Sequence, residues 1–558
     1  MMNRRSRIIV ALFAVLALTA ASCGGSDSDS DSGSSSDSSS SSSDSSDSSS
    51  SDSSSSSDSS SSSSSDSSDS SDSSETTATT AAPAPVDTRR ELLVIAVPTE
   101  PDSLDEYIGE VRWEGAQTEE TLIRRRPDGK LIPWVATDWF PNADGTVWTA
   151  NLRDDVMWHD GTLLVAQDLV DAAEYLVSID AVQESRGSTG FSNYLSSRAI
   201  DDTTFEITYS ASAVLWPIQM SYWRLQKDLP DPANHPVGTG SYRLKSWDRG
   251  SKVTLVANED YWGEPAKVKQ VEFVVIPDAA ARVAALQAGE VDIINPVIVE
   301  DAPLVPNLWS PSEPIQFYRL VLNSRTGPSA DVRVRRAMNL AVDKEALNEA
   351  LFGGLGIPDQ CQSLLPSHVG FNEDLSAYPY DPEEARRLIT EAGAEGAEFV
   401  FMGAAARWSK QEELMEIVGN YWEAVGLKVK LDVVPFQEWL DRVFTQPGPR
   451  PDVYFVGASI RTFDGGSLRN YLLSPENPTA RTSSMTDPEM DRLFKEAEVV
   501  FDPEERDAAF EKVVARLCAG AHFVHLFAPP DFYGAAADVT FNPDPRLRWT
   551  KVDDMTFG

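Results

Sequence analysis

Residues 120–176 read ETLIRRRPDGKLIPWVATDWFPNADGTVWTANLRDDVMWHDGTLLVAQDLVDAAEYL, and this stretch decides the fold. It contains three Asp-Gly pairs, each between apolar or alternating segments: Asp128-Gly129, Asp144-Gly145 and Asp160-Gly161. Asp-Gly favours tight hairpin turns, because glycine adopts a positive φ without steric cost. The stretch therefore predicts an antiparallel meander over residues 122–162.

Outside this meander the pattern alternates between strands and helices. Residues 92–97 are a short apolar run that ends at a proline, which predicts a strand. Residues 278–288 and 411–425 are predicted helices, each followed by a glycine, and a strand is predicted over 428–434. Three more helices are predicted where a capping Asp precedes Pro and Glu, at Asp381-Pro382-Glu383, Asp487-Pro488-Glu489 and Asp502-Pro503-Glu504. The alternation predicts an α/β protein.

The composition narrows the possible functions. The chain has 558 residues with 87 acidic and 47 basic side chains, a formal net charge of −40. Such a charge repels phosphate backbones and anionic lipid surfaces, which argues against nucleic-acid binding and against a polybasic membrane contact. A hydrophobic content of 41% is enough for large cores in two or three domains. With five His and three Cys, we predict neither a zinc module nor a disulfide scaffold, and we expect no metal and no cofactor.

Residues 1–22 have the three parts of a secretory signal peptide. They are a basic start, an apolar run over 8–18 that is too short for a permanent membrane span, and small residues directly before Cys23. A Cys after small residues resembles the lipobox of bacterial lipoproteins. The resemblance implies that Cys23 is acylated and anchors the protein to the outer face of the cytoplasmic membrane. The alternative is cleavage by ordinary signal peptidase.

Residues 23–89 are predicted to form a tether. From 26 to 74 almost every residue is Ser or Asp, and such a segment cannot offset the entropy cost of ordering, so we predict disorder. A Thr/Ala/Pro-rich stretch over 75–86 continues the tether. A flexible chain of this length has a root-mean-square span of about 45 Å. The folded part is then free to move while Cys23 stays at the membrane.

Six segments along the chain match the motifs of one protein family in order and spacing. They are the stretch quoted above, HPVGTGSYRL (235–244), ANEDYWG (257–263), VIPDAAARVAALQAGEVDI (275–293), VRRAMNLAVDKEAL (334–347) and YDPEEARRLITEAG (380–393). Together they resemble the family 5 extracellular solute-binding proteins, the dipeptide, oligopeptide and nickel-binding class that serves ABC transporters.

This resemblance implies an α/β periplasmic-binding-protein fold, in which two lobes joined by hinge strands close on a ligand. Lobe I is predicted to be discontinuous, over 90–312 and 528–558, with an extra subdomain over 133–234. Lobe II is predicted over 313–527. The closed form is what a membrane permease would recognise.

The function implied by the resemblance is solute capture and delivery, without enzymatic activity. The expected partners are a small-molecule or short-peptide ligand, an ABC permease and, through the lipid anchor, the membrane; we expect a monomer and no nucleic acid. A sensor lipoprotein that presents its closed form to a receptor would share every sequence feature. A secreted hydrolase is the remaining alternative, but the sequence has no G-x-S-x-G, H-E-x-x-H or P-loop motif.

Two ligand candidates lie in the segment GAAARWSK (403–410), since peptide-binding members of the family use the segment before the following helix. Arg407 is expected to pair with a ligand carboxylate, and an exposed face of Trp408 is expected to stack on a ligand side chain or ring. The alternative is an ordinary surface Arg beside a half-buried Trp.

The segment DVYFVGASIRTFDGGSL (452–468) resembles the family stretch whose Asp meets the α-ammonium group of a peptide. Aligned by hand, Arg461 falls at that Asp position and Ala458 at a family Trp position. Because Arg461 would repel an ammonium group, we expect a carboxylate-bearing, phosphorylated or polyol ligand held by Arg461, with Phe463 in the same loop. An alignment slip of a few residues would instead give the ammonium-binding role to Asp464.

Lobe I is expected to contribute Ser103, Tyr107 and Trp113, which lie in or near the loop TEPDSLDEY (99–107) after the first strand. The alternative is a satisfied turn with core aromatic residues.

The remaining candidates are histidines and cysteines, and the histidines are predicted to have structural roles. His522 and His525 have helical spacing in an apolar run without a nearby third ligand, and His159 lies in a turn, so no metal site is predicted. Whether Cys361 and Cys518 form a disulfide is left open by the sequence.

Overall fold

The computed structural model describes residues 89–105, 107, 113–126, 130–179, 190–191, 193–227, 231–311, 314, 316–444, 450–460, 462–475, 484–543 and 551–558. The predicted signal peptide, residues 23–88 of the predicted tether, and Arg461 lie outside these ranges. All described residues belong to one compact unit, Pro85–Gly558. No helix in the described ranges is both long enough and apolar enough to cross a membrane.

The strands of the described residues are numbered here in chain order. They are β1 (Arg90–Val97), β2 (Ile123–Arg125), β3 (Leu131–Pro133), β4 (Ala136–Pro141), β5 (Val147–Leu152), β6 (Tyr194–Asp201), β7 (Thr204–Tyr209), β8 (Tyr242–Asp248), β9 (Lys252–Ala257), β10 (Val268–Val275), β11 (Ile293–Val297), β12 (Asn307–Trp309), β13 (Gln316–Leu322), β14 (Ile357–Pro358), β15 (Glu398–Ala404), β16 (Lys428–Val434), β17 (Val453–Ser459), β18 (Phe523–Ala528), β19 (Phe532–Ala535), β20 (Val539–Thr540) and β21 (Thr556–Phe557).

The α-helices of the described residues are numbered in the same way. They are α1 (Trp113–Thr118), α2 (Ala166–Ser178), α3 (Trp216–Gln219), α4 (Ala279–Ala288), α5 (Val332–Leu340), α6 (Lys344–Phe352), α7 (Pro382–Ala392), α8 (Gln411–Ala424), α9 (Phe436–Phe444), α10 (Arg469–Leu472), α11 (Pro488–Ala497) and α12 (Pro503–Gly520).

Two large mixed sheets organise the fold. The first has the order β12-β19-β11-β1-β10-β9-β8, and the second has the order β14-β18-β13-β17-β15-β16. The first sheet takes its β19 from far along the chain, so it is discontinuous in sequence, as the resemblance implies for lobe I. We use lobe I and lobe II for the parts built on the first and second sheet, while the residue bounds of the lobes stay a prediction.

Two chain segments cross between these sheets. Residues 310–315 lead from β12 to β13, and residues 529–531 lead from β18 to β19. Trp309 of β12 is paired with Tyr533 of β19, and Tyr318 of β13 is paired with Phe527 of β18, both in antiparallel registers. The strands on both sides of the two crossings are therefore paired with each other, which is the arrangement expected next to hinge strands.

The quoted stretch forms antiparallel pairs, but the single meander predicted over 122–162 is wrong, because β2 and β3 form a two-stranded sheet of their own and β4 and β5 belong to a different sheet. The β2–β3 hairpin surrounds Asp128-Gly129, a turn outside the described residues, and the β4–β5 hairpin turns at Asp144-Gly145, where Gly145 has a φ of 68°. The chain also turns at Asp160-Gly161. The residues on either side of this turn are joined only by one isolated antiparallel bridge, between Met157 and Leu163. β4 and β5 continue into a four-stranded sheet of order β4-β5-β7-β6, which packs with α2 around a separate hydrophobic core.

The helix boundaries predicted from the sequence are confirmed. The side chains of Asp381, Asp487 and Asp502 each accept a hydrogen bond from a backbone N–H in the first turn of α7, α11 and α12. α4 ends at Gly289 in the left-handed conformation, and Gly426 follows α8 with a φ of 100°.

Cys361 and Cys518 form a disulfide, a pairing that the sequence left open. Cys518 lies in α12, and Cys361 lies in the buried loop after β14. The bond therefore joins this loop to α12 within lobe II.

The GTG motif at 238–240 packs directly against the end of α1. The N–H of Gly240 donates to the carbonyl of Thr118 at 2.9 Å. A Cβ on Gly238 would lie 2.1 Å from the Thr118 oxygen, and a Cβ on Gly240 would lie 2.4 Å from the Gln117 oxygen. Both glycines are thus required by close backbone approach, and the contact positions the segment that leads into β2.

We expect Gly238→Ala to destabilise the protein by about 1 to 3 kcal/mol, because the added methyl group collides with backbone that cannot rotate away. Urea unfolding followed by tryptophan fluorescence measures the effect. Gly419→Ala is the matched control: Gly419 lies in α8, and its added Cβ would meet its nearest neighbour at an ordinary 3.5 Å. That variant should gain up to about 1 kcal/mol from helix propensity. Equal losses in both variants would contradict the packing argument.

Candidate functional site

The loops that follow parallel strands in both lobes lie on the side of the hinge. In lobe II, β15 and β17 are parallel, so their carboxyl ends at Ala404 and Ser459 share one sheet edge. Ser459 is paired with Gln316, the first residue of β13 after a crossing. In lobe I, β1 and β11 are parallel, and Val297 at the end of β11 is paired with Phe532, the first residue of β19. Carboxyl ends of parallel strands are the usual ligand edge of α/β sheets, so the cleft between the lobes is the candidate site.

Three side-chain contacts connect lobe II with lobe I and with the small sheets that contain β2 and β4. Lys410, which follows β15, forms a 2.7 Å ion pair with Glu300, which follows β11. The guanidinium carbon of Arg125 in β2 lies 3.8 Å from the ring centroid of Phe463, in the loop after β17. The ring of Phe501 packs over Gly145 in the β4–β5 hairpin. A Cβ on Gly145 would lie 2.1 Å from that ring.

Arg407 and Trp408 lie at the carboxyl end of β15, but they differ in exposure. Arg407 is half-buried, with its guanidinium carbon 4.7 Å from the ring centroid of Phe436. Trp408 is only 9% exposed and packs with Trp439 and Phe455, each at 5.3 Å between ring centroids. The expectation of an exposed Trp408 face is wrong, because this aromatic cluster covers the ring.

Asp464 is engaged in a buried ion pair within lobe II. Its Oδ2 accepts from Nε of Arg506 at 2.7 Å, and its Oδ1 accepts from Nη2 at 2.8 Å and from the N–H of Gly466 at 2.7 Å. Both side chains are about 5% exposed. This ion pair argues against the alternative in which Asp464 binds a ligand ammonium group, because the carboxylate already neutralises Arg506, and that alternative stays a prediction. Arg461 lies outside the described residues, so its role stays a prediction.

Phe463 and His368 form a second buried contact beside the cleft. Phe463 has a φ of 54°, and its ring meets the ring of His368 edge-on at 4.8 Å. His368 is 3% exposed, and neither ring nitrogen has a hydrogen-bond partner among the described residues. Burial, with a smaller effect of the Arg125 charge, lowers the pKa of His368 to about 3. His368 is therefore neutral at pH 7 and does not repel Arg125.

Ser103 and Tyr107 are satisfied inside lobe I. The Ser103 hydroxyl accepts from the N–H of Asp105 at 3.0 Å, and the Tyr107 hydroxyl donates to the carbonyl of Arg224 at 2.8 Å. Tyr107 belongs to the core beneath the four-stranded sheet. The structure favours the alternative for both residues, a satisfied turn and a core aromatic. The side chain of Trp113 lies outside the described residues.

His159, His522 and His525 have structural partners. Nδ1 of His525 lies 2.9 Å from Oδ2 of Asp359, and Nδ1 of His522 lies 3.0 Å from the Ser324 hydroxyl. Nε2 of His159 lies 3.0 Å from the carbonyl of Gly240, and burial lowers the pKa of His159 to about 4. Within the described ranges, no group of three His, Cys, Asp or Glu side chains is arranged to hold a metal ion.

Sequence reasoning missed the residues that lie between the lobes. Arg125, His368 and the pair Glu300 and Lys410 were not proposed as site residues. The run of three arginines at 124–126 in the quoted stretch was a visible signal, because strand alternation directs neighbouring side chains to opposite faces. No pattern in the sequence indicated that His368 lies beside Phe463.

Comparisons with known proteins agree with the fold. The family model for bacterial extracellular solute-binding proteins, family 5 Middle, matches residues 130–480. The dipeptide-binding protein of Escherichia coli (strain K12) is 25% identical over 423 residues, covering 66% of this chain and 79% of that protein. The periplasmic binding protein DppA from Helicobacter pylori in complex with the peptide STSA superposes with a TM-score of 0.71 at 20% identity, over 84% of this chain and 98% of that one. AgaA from A. tumefaciens R10 in complex with agropinic acid gives 0.70 at 23% identity, over 84% and 99%.

We expect Asp464→Asn to destabilise the protein by about 3 kcal/mol or more, because it leaves the buried Arg506 without a charge partner. Urea unfolding at pH 7 measures the loss. Arg492→Ala is the control, since Arg492 forms an exposed ion pair with Glu489 and should leave the unfolding midpoint almost unchanged. A midpoint for Asp464→Asn equal to that of the wild type would mean that Asp464 is free for a ligand.

Proposed function

The chain belongs to the bacterial extracellular solute-binding proteins, family 5, and from this premise we propose that it captures a small anionic solute between its lobes and delivers it to an ABC permease. The anionic class includes carboxylate-bearing and phosphorylated solutes, and polyols that carry such a group.

The ion pair between Asp464 and Arg506 is the observation that most supports an anionic ligand. Asp464 is the only acidic residue in 453–468, and its carboxylate is already neutralised. A ligand ammonium group would have to break this pair and leave Arg506 buried and uncompensated, at a cost of about 3 to 5 kcal/mol. The loop therefore has no carboxylate to offer among its described residues, while its Arg461 is cationic.

Arg407 supports the same ligand class from the neighbouring strand. It follows β15, whose carboxyl end lies at the same edge as that of β17, and residue 461 follows β17 in the sequence. A guanidinium group at this edge favours a carboxylate or phosphate, which it binds in a bidentate geometry.

The solved structures that resemble this chain include one with a peptide ligand and one with an acid as ligand. DppA is described with a peptide, and AgaA with agropinic acid, an acid by name. The fold thus accepts either class, and the choice depends on the side chains of the cleft. For this chain we propose an acidic ligand, on the basis of Arg461, Arg407 and the neutralised Asp464.

The protein is further proposed to be a monomeric lipoprotein at the outer face of the cytoplasmic membrane. The sequence before the folded part supports this: Cys23 follows small residues at the end of a signal-peptide pattern, and the Ser/Asp-rich tether separates it from β1. Acyl chains on Cys23 would hold the protein at the membrane, since each buried methylene contributes about 0.8 kcal/mol.

Native mass spectrometry of the full-length mature chain tests the ligand class. We expect a single co-purified anionic mass, and we expect Arg461→Asp to lower its affinity by about 30-fold or more, because a charge-assisted contact becomes a repulsion. Arg249→Ala is the control: Arg249 stacks on Trp247 at 3.2 Å within lobe I and should leave the occupancy unchanged. A ladder of peptide masses that survives in Arg461→Asp would overturn the proposed class, and a hydrolysed product would point to an enzyme.

Membrane fractionation tests the anchor. The wild-type protein should sediment with membranes, whereas Cys23→Ser should appear in the soluble fraction because it has no thiol to acylate. Ser28→Ala changes the same segment without touching that thiol and should stay with the membranes. A Cys23→Ser protein that still sediments would contradict the lipoprotein proposal.

A further inference from the structure

Arg319 is a fully buried arginine in the second large sheet. It lies in β13, where it is paired with Val456 of β17 and with His525 of β18, so a neighbouring strand covers it on each side. The residue is 0% exposed, and none of its three guanidinium nitrogens makes a hydrogen bond of good geometry with a described residue. Burying a charge is costly unless the charge is paired, so this side chain requires an explanation.

Other buried arginines have the partners that Arg319 lacks. Arg506 binds the carboxylate of Asp464. Arg335 donates to three backbone carbonyls, and so does Arg282. Among the described residues, Arg319 has neither a carboxylate nor a carbonyl within hydrogen-bond distance of its guanidinium group.

Two aromatic rings contact the guanidinium group of Arg319. Its central carbon lies 4.2 Å from the ring centroid of Tyr471 in α10 and 4.8 Å from that of Phe523 in β18. These cation–π contacts stabilise the charge, but they supply no oxygen acceptor for the five N–H groups. Burial lowers the pKa of Arg319, and Tyr471 and Asp359 offset this effect only in part. Because arginine stays protonated in proteins, the charge requires a counter-ion.

Asp359 does not serve as this counter-ion, because its carboxylate is already engaged. Its Oδ1 accepts from the N–H groups of Gln362 and Ser363 at 2.9 and 2.8 Å. Its Oδ2 accepts from the Ser363 hydroxyl at 3.0 Å and lies 2.9 Å from Nδ1 of His525. The charge of Asp359 is therefore spent on its own loop and on β18.

Hydroxyl groups, which can donate to an anion, lie close to Arg319. Tyr454 of β17 is 0% exposed, and the positive charges of Arg319 and Arg450 both act on it. The Ser484 hydroxyl lies next to Tyr454 and makes no hydrogen bond of good geometry with a described residue. Together with Tyr471, these groups surround the buried guanidinium group with three hydroxyls.

We propose that lobe II binds a small monovalent anion, of the chloride class, against the guanidinium group of Arg319. The hydroxyls of Tyr454, Tyr471 and Ser484 complete the set of donors. A single negative charge matches one unpaired guanidinium group, whereas a divalent phosphate or sulfate would lose more hydration than one cation returns. The site is inside lobe II and does not depend on the proposed function. Its anion would connect α10 and Ser484 to the interior strand β13.

Crystals of the full chain grown in sodium bromide locate the anion directly, because bromide replaces chloride and scatters anomalously. We expect an anomalous peak within hydrogen-bond distance of the Arg319 guanidinium group in the wild type. The peak should be absent in Arg319→Met, which replaces the charge with an apolar side chain. Arg282→Met is the matched control, since Arg282 is a buried arginine with carbonyl partners, and the peak should remain there. Density at Arg319 without an anomalous signal would be a water molecule and would overturn the proposal, as would the absence of any density.

Urea unfolding tests whether the anion binds in solution. Sodium chloride replaces sodium fluoride at constant ionic strength, because fluoride is too strongly hydrated to enter a site lined by aromatic rings. Chloride that binds only the folded state raises the folding equilibrium constant about tenfold at ten times its dissociation constant. We expect this rise in the wild type and in Arg407→Ala, which changes the cleft edge only, and no dependence on chloride in Arg319→Met.

The remaining outcomes also decide the proposal. A bromide peak in crystals of a wild type whose unfolding does not respond to chloride indicates an adventitious ion only and overturns it. A chloride response that persists in Arg319→Met places the anion elsewhere, and one that disappears in Arg407→Ala places it in the cleft; either result overturns the proposal. If Arg319→Met does not fold, the bromide data and the chloride response of the wild type still decide whether the site exists.

Discussion

The antiparallel pairing of the strands on both sides of the two crossings is the constraint on which the rest of the structure depends. The chain leads from β12 to β13 and from β18 to β19, while β12 is paired with β19 in the first sheet and β13 is paired with β18 in the second. Such paired crossings leave the lobes few ways to move, because both connections must bend together. They also determine which sheet edges face each other. β1 and β11 end at the hinge side of lobe I, and β17 ends at the hinge side of lobe II, so the loops that carry the candidate residues are brought together by topology before any side chain is considered.

Most charges near the loop after β17 are balanced or absent. Asp464 and Arg506 neutralise each other, and His368, which packs against Phe463, stays uncharged at pH 7. The guanidinium groups of Arg125 and Arg407 lie against the aromatic rings of Phe463 and Phe436. An aromatic face holds a guanidinium group in place without neutralising its charge.

The sequence predicted the scaffold better than the site, for a physical reason. The hairpin at Asp144-Gly145, the helices that begin at Asp-Pro-Glu and the helix that ends at Gly289 are local features, and each was found where the sequence predicted it. The exposure of Trp408, the partner of Asp464 and the neighbour of Phe463 depend on residues far away in sequence: Trp439, Arg506 and Arg125. Local patterns do not encode such pairings. The Cys361–Cys518 disulfide belongs to the same class, since its two residues are 157 positions apart.

The late position of β18 and β19 in the chain has a consequence for biosynthesis. β18 lies between β14 and β13, and β19 lies between β12 and β11, so both are interior strands that arrive after more than 520 residues have been made. Until then each large sheet has an open gap, with unpaired strand edges that are prone to associate with other chains. A chain synthesised from its N-terminus therefore completes both large sheets almost at once and only late. Until then both sheets are unfinished, and a truncation before residue 523 would remove an interior strand from each of them.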